Sequence, residues 1–316
     1  MELIQNLINL VLPPITIVFL CLILPFLFVF NSIHLILRYL LPEKMMKKVV
    51  LITGASSGIG EQLAYEYAKK GAYLVLVARR EETLKEVAEK ATHLGSPDVL
   101  VIPADVSRVD QCKSFIDEAV NHFGRLDHLV CNAGIACHCA FEDVTDVSKF
   151  TPVMDVNFWG SIYPTYFAIP HLKKSKGKIL VNASIAGWTV APKGSIYGAS
   201  KAALIHFYDN LRIELAPEIS IVVLSPGFVE SEITQGKLVT KRGEVELNHV
   251  IRDILQRMPM ESARECAKAT VKAACQGDRH ITEPWFYNVL YLLNILCPEL
   301  VEWICSLLYR IMRKTG

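Results

Sequence analysis

Net charge is scarce in this sequence: 33 basic against 32 acidic residues leave a formal +1 over 316 residues. A surface that tracks phosphates needs a basic excess, so a nucleic-acid partner is excluded. Paired cysteine motifs are missing as well. The nine cysteines are an odd number, scattered along the chain with no CxxC. Cys137-His138-Cys139 has no second half at zinc-like spacing, so no metal site is expected, and reduced thiols in a cytosol-facing chain fit better. No solenoid-type repeat is present. The composition, 52% hydrophobic and 21% charged, excludes intrinsic disorder. A chain of this length can bury a core without disulfide or metal staples. Its apolar share lies slightly above the usual soluble range, which points to a lipid-facing part.

Charge of either sign is absent from residues 3–37. The centre of that stretch, 10–30, reads LVLPPITIVFLCLILPFLFVF and reaches the roughly 20 apolar residues that cross a hydrocarbon core. It has no basic start and no small-residue cleavage site, so it is expected to stay as an anchor and not to leave as a signal peptide. Pro13, Pro14 and Pro25 each remove a backbone donor, and the freed carbonyls need partners in lipid. A bent or hairpin insert that enters one leaflet or an oil phase follows, with a kinked single span as the alternative. Arg38, Lys44, Lys47 and Lys48 follow the insert and no basic residue precedes it, which leaves the rest of the chain cytosolic in either topology. A second apolar region, 285–308, is interrupted by Pro298, Glu299 and Glu302. Its uncharged part is too short to span. It reads as amphipathic helices on a membrane or over an apolar pocket, or as ordinary core packing.

Between these ends, strand and helix patterns alternate. Buried strand runs fall at 48–53, 73–77, 99–102, 127–131, 178–182 and 219–224; helical patterns fall at 61–70, 82–92, 110–123 and from Tyr197 on. That order predicts an α/β fold, a doubly wound parallel sheet of Rossmann type covered on both faces. Residues 228–255 are polar and weakly patterned, a loop-rich insert. The layout is an anchor at 1–45, one catalytic domain at 46–284, and C-terminal amphipathic helices at 285–316.

Chemistry gathers in three places. Thr53-Gly54-Ala55-Ser56-Ser57-Gly58-Ile59-Gly60 lies between the first strand and the first helix. Glycines there let the backbone approach a pyrophosphate at the helix N-terminus. At the end of the second strand, where a carboxylate would bind the adenosine ribose, the sequence has Arg79-Arg80. An arginine suits a 2′-phosphate, which favours NADP(H) over NAD(H), although Glu81 follows directly. Tyr197 and Lys201, four positions apart, share one face of a predicted helix. A nearby ammonium would lower the tyrosine pKa and suit it to proton exchange, with Ser184 at a strand end to hold a substrate oxygen. Asn182-Ala183-Ser184 matches a glycosylation sequon but lies on a core strand, so modification is not expected.

Together these residues resemble the short-chain dehydrogenase/reductase family. The resemblance implies that Gly54, Ser56, Ser57, Gly58, Ile59 and Gly60 cradle the cofactor, with Arg79 and Arg80. It implies that Asp105 contacts adenine and that Asn132-Ala133-Gly134 forms the family's central turn, preceded here by Cys131 where the family has Asn. Asn157, Ser184, Tyr197 and Lys201 match the catalytic tetrad, Tyr197 and Lys201 also touching the cofactor. Pro226-Gly227 and Ser231 match the turn near the nicotinamide, with Ser231 where Thr is usual. A proline-bearing apolar N-terminus and the run Gly-Glu-Gln-Leu-Ala-Tyr-Glu-Tyr-Ala at 60–68 are similar to the plant steroleosins, oil-body members of the 11-beta-hydroxysteroid dehydrogenase-like group. That likeness implies NADP-dependent interconversion of hydroxyl and keto groups on a sterol or steroid, at a lipid-droplet or endoplasmic-reticulum surface. It also implies a homodimer paired through the helices of Asn157 and Tyr197. Another neutral lipid ketone or a retinoid remains an alternative substrate, and a catalytically lapsed oil-body coat protein an alternative function.

Overall fold

The computed structural model describes residues 1–255 and 258–315, and the side chain of Arg38 lies outside that description, as does Gly316 of the C-terminal segment. The chain divides into two compact units, Met1–Glu43 and Lys44–Gly316.

The first unit is one helix, α1 (Glu2–Leu40), which carries Pro13, Pro14 and Pro25 in its interior. The expected hairpin does not form. Each proline deletes one donor but leaves the ladder on either side intact, so three losses within 39 residues are local defects and not a reversal. Thr16 Oγ1 donates to Leu12 O at 2.8 Å beside the first proline pair. The apolar stretch Ile4–Ile33 holds 30 residues, about 45 Å at 1.5 Å per residue, more than a hydrocarbon core of about 30 Å.

The second unit is the α/β domain. Its elements run β1 (Val49–Thr53), α2 (Gly58–Ala68), β2 (Tyr73–Ala78), α3 (Glu81–His93), β3 (Val99–Pro103), α4 (Val109–Phe123) and β4 (His128–Cys131). A short helix α5 (Thr151–Met154) then leads through a π-helical turn, Asp155–Trp159, into α6 (Gly160–Ser175). β5 (Lys178–Asn182), α7 (Ser195–Leu215) and β6 (Ser220–Pro226) follow. The insert expected to be loop-rich contains a hairpin, β7 (Lys237–Val239) with β8 (Val245–Leu247), and a helix α8 (His249–Leu255). The chain closes with α9 (Ala263–Gln276), β9 (His280–Glu283), α10 (Tyr287–Leu296) and α11 (Pro298–Thr315).

The main sheet has seven strands in the order β3-β2-β1-β4-β5-β6-β9, every pairing parallel. Successive residues of one strand face opposite layers. Val50 and Ile52 join the core under α2 and α9, while Val49 and Leu51 join the core under α4, α6 and α7. Burial on both faces is why these strands are continuous apolar runs. The strand order reverses between β1 and β4, and the crevice at their C-terminal ends is where such sheets take ligands. α10 and α11 meet at a bend of 115°. α10 docks on the chain after Ser184 through Asn294 Nδ2, which donates to Trp188 O at 2.7 Å, and through edge contact of Tyr291 with Trp188. Trp285, Leu296 and Trp303 stay exposed.

Candidate active site

The reversal between β1 and β4 brings the glycine turn over Asn132-Ala133-Gly134. Thr53 Oγ1 accepts from the backbone N–H groups of Asn132 (3.0 Å) and Ala133 (3.2 Å), and Asn132 Nδ2 donates to the carbonyls of Thr53 (3.0 Å) and Gly54 (3.2 Å). The approach leaves no space for side chains. Gly54 has φ +66° and a Cβ there would lie 2.7 Å from Ala133 Cα; a Cβ on Gly60 would lie 2.3 Å from Gly54 O. This is the tight cradle that close approach to a pyrophosphate requires. Ile59 packs against the core under α2.

Cys131, in the position where the family has Asn, is buried and makes long contacts from its sulfur to Ser161 O (3.6 Å) and Thr165 Oγ1 (3.7 Å). Asn182 on β5 supplies a cross-strand link instead, its Nδ2 donating to Asn132 Oδ1 at 2.8 Å. The sequon asparagine is therefore engaged inside the site. Asp105 lies just beyond β3 and accepts from Ser107 N (2.9 Å) and Ser107 Oγ (2.8 Å). Of the two arginines after β2, Arg80 is the one on the glycine turn, donating from Nη2 to Ser56 Oγ (3.0 Å) and Ser57 Oγ (2.9 Å). Glu81 is turned to Lys85.

The catalytic candidates come from four elements. Ser184, just past β5, caps a short helical turn by accepting from Ala186 N at 3.1 Å, and its Oγ donates to Pro226 O at 3.4 Å. Tyr197 and Lys201 are one turn apart on α7, with Lys201 Nζ 5.8 Å from the Tyr197 ring centre. Lys201 is 3% exposed and donates to Asn182 O at 2.8 Å. Asn157 sits in the π-helical turn, a wider coil that often marks functional sites. Its carboxamide accepts from Ile135 N at 2.8 Å and donates to Ile135 O and Ser200 Oγ, both at 2.9 Å. A Cβ on Gly134 would lie 3.3 Å from Asn157 Oδ1 and 3.5 Å from Lys201 Nζ, so that glycine keeps the space between them open. Pro226 ends β6 and Gly227 N donates to Glu283 O at 2.7 Å. Ser231 comes back against Gly58, where a Cβ would lie 3.3 Å from Ser231 Cβ.

Burial works against one expectation. The Tyr197 hydroxyl is pushed above its ordinary pKa, not below it: burial dominates, and a hydrogen bond with Ser184 only partly opposes it. The ammonium expected to stabilise a phenolate is itself weakened, because burial lowers Lys201 to about 7. Both shifts disfavour the charged form of a desolvated group.

The surface beside Tyr197 is apolar. Cys137, Phe150, Val153 and Val239 are buried together, with Ile196 and Tyr197 packed against them. Val239 arrives from the insert: its N–H donates to Ala136 O at 2.8 Å, laying β7 along residue 137. Tyr287 of α10 is likewise brought in, with its ring edge 2.1 Å from a Cβ on Gly227. Sequence spacing singles out neither residue, because both are distant in the chain and of ordinary type. His138 is half-buried and lowered to about 4 by desolvation and the nearby Lys193 charge, while burial raises the Cys137 thiol to about 11.

The family model described as short chain dehydrogenase matches residues 48–241. A protein of Arachis hypogaea named 11-beta-hydroxysteroid dehydrogenase A is 51% identical over 310 residues, covering 98% of this chain and 89% of its own. One of Arabidopsis thaliana, 11-beta-hydroxysteroid dehydrogenase-like 4A, is 48% identical over 301 residues, covering 95% and 98%. Among solved structures, a short chain dehydrogenase/reductase from Burkholderia phymatum in complex with NAD superposes with TM-score 0.73 at 26% identity, over 81% of this chain and 96% of that one. An alcohol dehydrogenase from the archaeon Thermococcus sibiricus, complexed with 5-hydroxy-NADP, gives TM-score 0.62 at 26% identity, over 75% and 94%.

Proposed function

Because the chain belongs to the short-chain dehydrogenase/reductase family, we propose that this oxidoreductase is NADP(H)-linked and interconverts hydroxyl and keto groups on a steroid or sterol. The observation that carries the reaction is the meeting of Ser184, Tyr197 and Lys201 at the C-terminal ends of β5 and β6. The cradle made by Gly54, Gly60 and Asn132 fits a dinucleotide backbone, and Arg80 with the two serines fits an anion beyond it. When bound, the nicotinamide supplies or takes the hydride. Ser184 orients the substrate oxygen, and Tyr197 gives it a proton in reduction or takes one in oxidation. Lys201, buried behind the tyrosine, holds the ribose side of the cofactor. Asn157 positions the backbone of Ile135, next to the Gly134 opening that faces Lys201. The apolar wall of Cys137, Ile196 and Val239 suits a rigid neutral lipid, in keeping with the names of the relatives.

Location and assembly belong to the same proposal. The uncharged length of α1 and the lysines that follow it support residence at the endoplasmic reticulum or a lipid droplet, with the catalytic unit in the cytosol. Exposed Tyr166 on α6 and Ile213 on α7 support a homodimer through those helices.

Tyr197→Phe tests the mechanism in purified full-chain protein. Turnover of a hydroxysteroid should fall by about 10²–10⁴-fold, the range of general acid–base contributions, with NADPH affinity falling far less. Undiminished turnover would remove Tyr197 from the reaction. Side-by-side kinetics on sterols, long-chain ketones and retinoids tests the substrate class, which fails if the steroids are the poorest of the three.

A further inference from the structure

Arg80 has a third partner. While Nη2 serves Ser56 and Ser57, Nη1 donates to Glu232 Oε1 at 2.6 Å, across 152 positions of sequence. The other carboxylate oxygen accepts from Lys237 Nζ at 3.1 Å. A fixed turn aims this carboxylate. Ser231 N donates to Thr234 Oγ1 (2.8 Å), Thr234 Oγ1 donates to Val229 O (3.1 Å), and Lys237 N donates to Glu232 O (3.0 Å). The turn rests on the glycine loop, with Ser231 Cβ 3.3 Å from the place of a Cβ on Gly58. Partial burial by itself would raise the Glu232 carboxyl, but the hydrogen bonds from Arg80 and Lys237 outweigh it and hold the group below its ordinary range. It is an anion at neutral pH.

We propose that Glu232 is a cofactor-selectivity residue: its carboxylate fills the anion seat of Arg80, Ser56, Ser57 and Lys237 and shifts binding from 2′-phosphorylated towards unphosphorylated nicotinamide dinucleotides. The proposal rests on the reading that Arg80 faces the adenosine ribose. At such a seat a ribose 2′-hydroxyl can donate to a carboxylate, whereas a 2′-phosphate, which is anionic and acceptor-only, must displace it. The tip of β2 carries no acidic residue, and the insert brings one to the same place. Arg80 and Glu232 are 43% and 39% exposed, and ion pairs so exposed contribute little, so a phosphate can break this one. Lys237 then remains as a second cation for the phosphate.

Titration of full-chain protein in detergent with NADPH and with NADH decides the matter. Glu232→Gln should tighten NADPH, weaken NADH, and raise the ratio of the two dissociation constants roughly tenfold. Glu232→Ala should act in the same direction, which separates loss of the charge from any effect of the amide. Arg80→Ala should weaken NADPH in the presence or absence of Glu232. If both Glu232 variants leave the ratio unchanged while Arg80→Ala weakens NADPH, the selectivity role is overturned and the phosphate seat stands. If Arg80→Ala leaves NADPH binding unchanged, the seat itself is wrong and the proposal falls with it.

Discussion

Lys201 carries the plainest single-residue consequence of burial. Its ammonium titrates near 7 in the folded protein, against about 10.4 for an unperturbed lysine. Between those values the unfolded chain holds a proton that the folded chain has lost, so stability rises with pH across the window. The full cost of the buried charge is present below pH 7 and is relieved as the group deprotonates. Lys201→Met removes the titration and leaves only a constant offset from Asn182 O, which loses its donor. The melting temperature of the wild type should therefore climb relative to Lys201→Met between pH 7 and pH 9.5. Parallel curves would show that the ammonium stays charged in the fold. The spacing of Tyr197 and Lys201 is legible in the sequence, because a helix puts every fourth residue on one face. The direction of their shifts is not, because desolvation depends on what α7 is packed against.

The glycine turn between β1 and α2 is where an element tolerates no extra atom. A Cβ on Gly60 would fall 2.3 Å from Gly54 O and 2.4 Å from Asn132 Nδ2. The first of these is backbone and cannot rotate away, so Gly60→Ala must separate the turn from the Asn132 loop. Overpacking of this kind costs about 1–3 kcal/mol, and here it also loosens the phosphate cradle. Denaturation midpoints and NADPH affinity should both drop; a variant of wild-type affinity would mean that the turn is adaptable. Other elements are harder to read. α9 buries Ala267, Thr270, Val271 and Ala274, and small residues give a faint apolar stripe even on a helix that packs closely. β9 reads His-Ile-Thr-Glu at the sheet edge, too short and polar to stand out as a strand.

At the scale of the molecule, the proposed anchor and the cofactor candidates lie in different units. Removing residues 1–43 should release the protein from alkaline-washed membranes and leave NADPH binding in place, since the cofactor candidates all lie in the second unit. Retention on the membrane would transfer the anchoring role to the exposed apolar residues of α10 and α11. Light scattering of the full chain in mild detergent should give a dimer, and Ile213→Glu, at a position 80% exposed on α7, should give a monomer. A wild type that is already monomeric would count against pairing through that helix.

The sequence by itself determined six of the seven strands and their alternation with helices, because a central strand buried on both faces reads as a continuous apolar run. It placed the glycine turn between the first strand and helix and put Tyr197 and Lys201 on one helix face, because those depend on local spacing, while Ser184 joined them through the family resemblance. The tertiary structure decided the rest. It carried α1 straight through three prolines, since each missing donor is a local loss. It laid Val239 along Ala136 and wedged Tyr287 against Gly227. It set Arg80 on the glycine turn and brought Glu232 to it from the insert. Those contacts join parts of the chain that no local pattern relates, and only the packing of the whole domain sets which charge meets which.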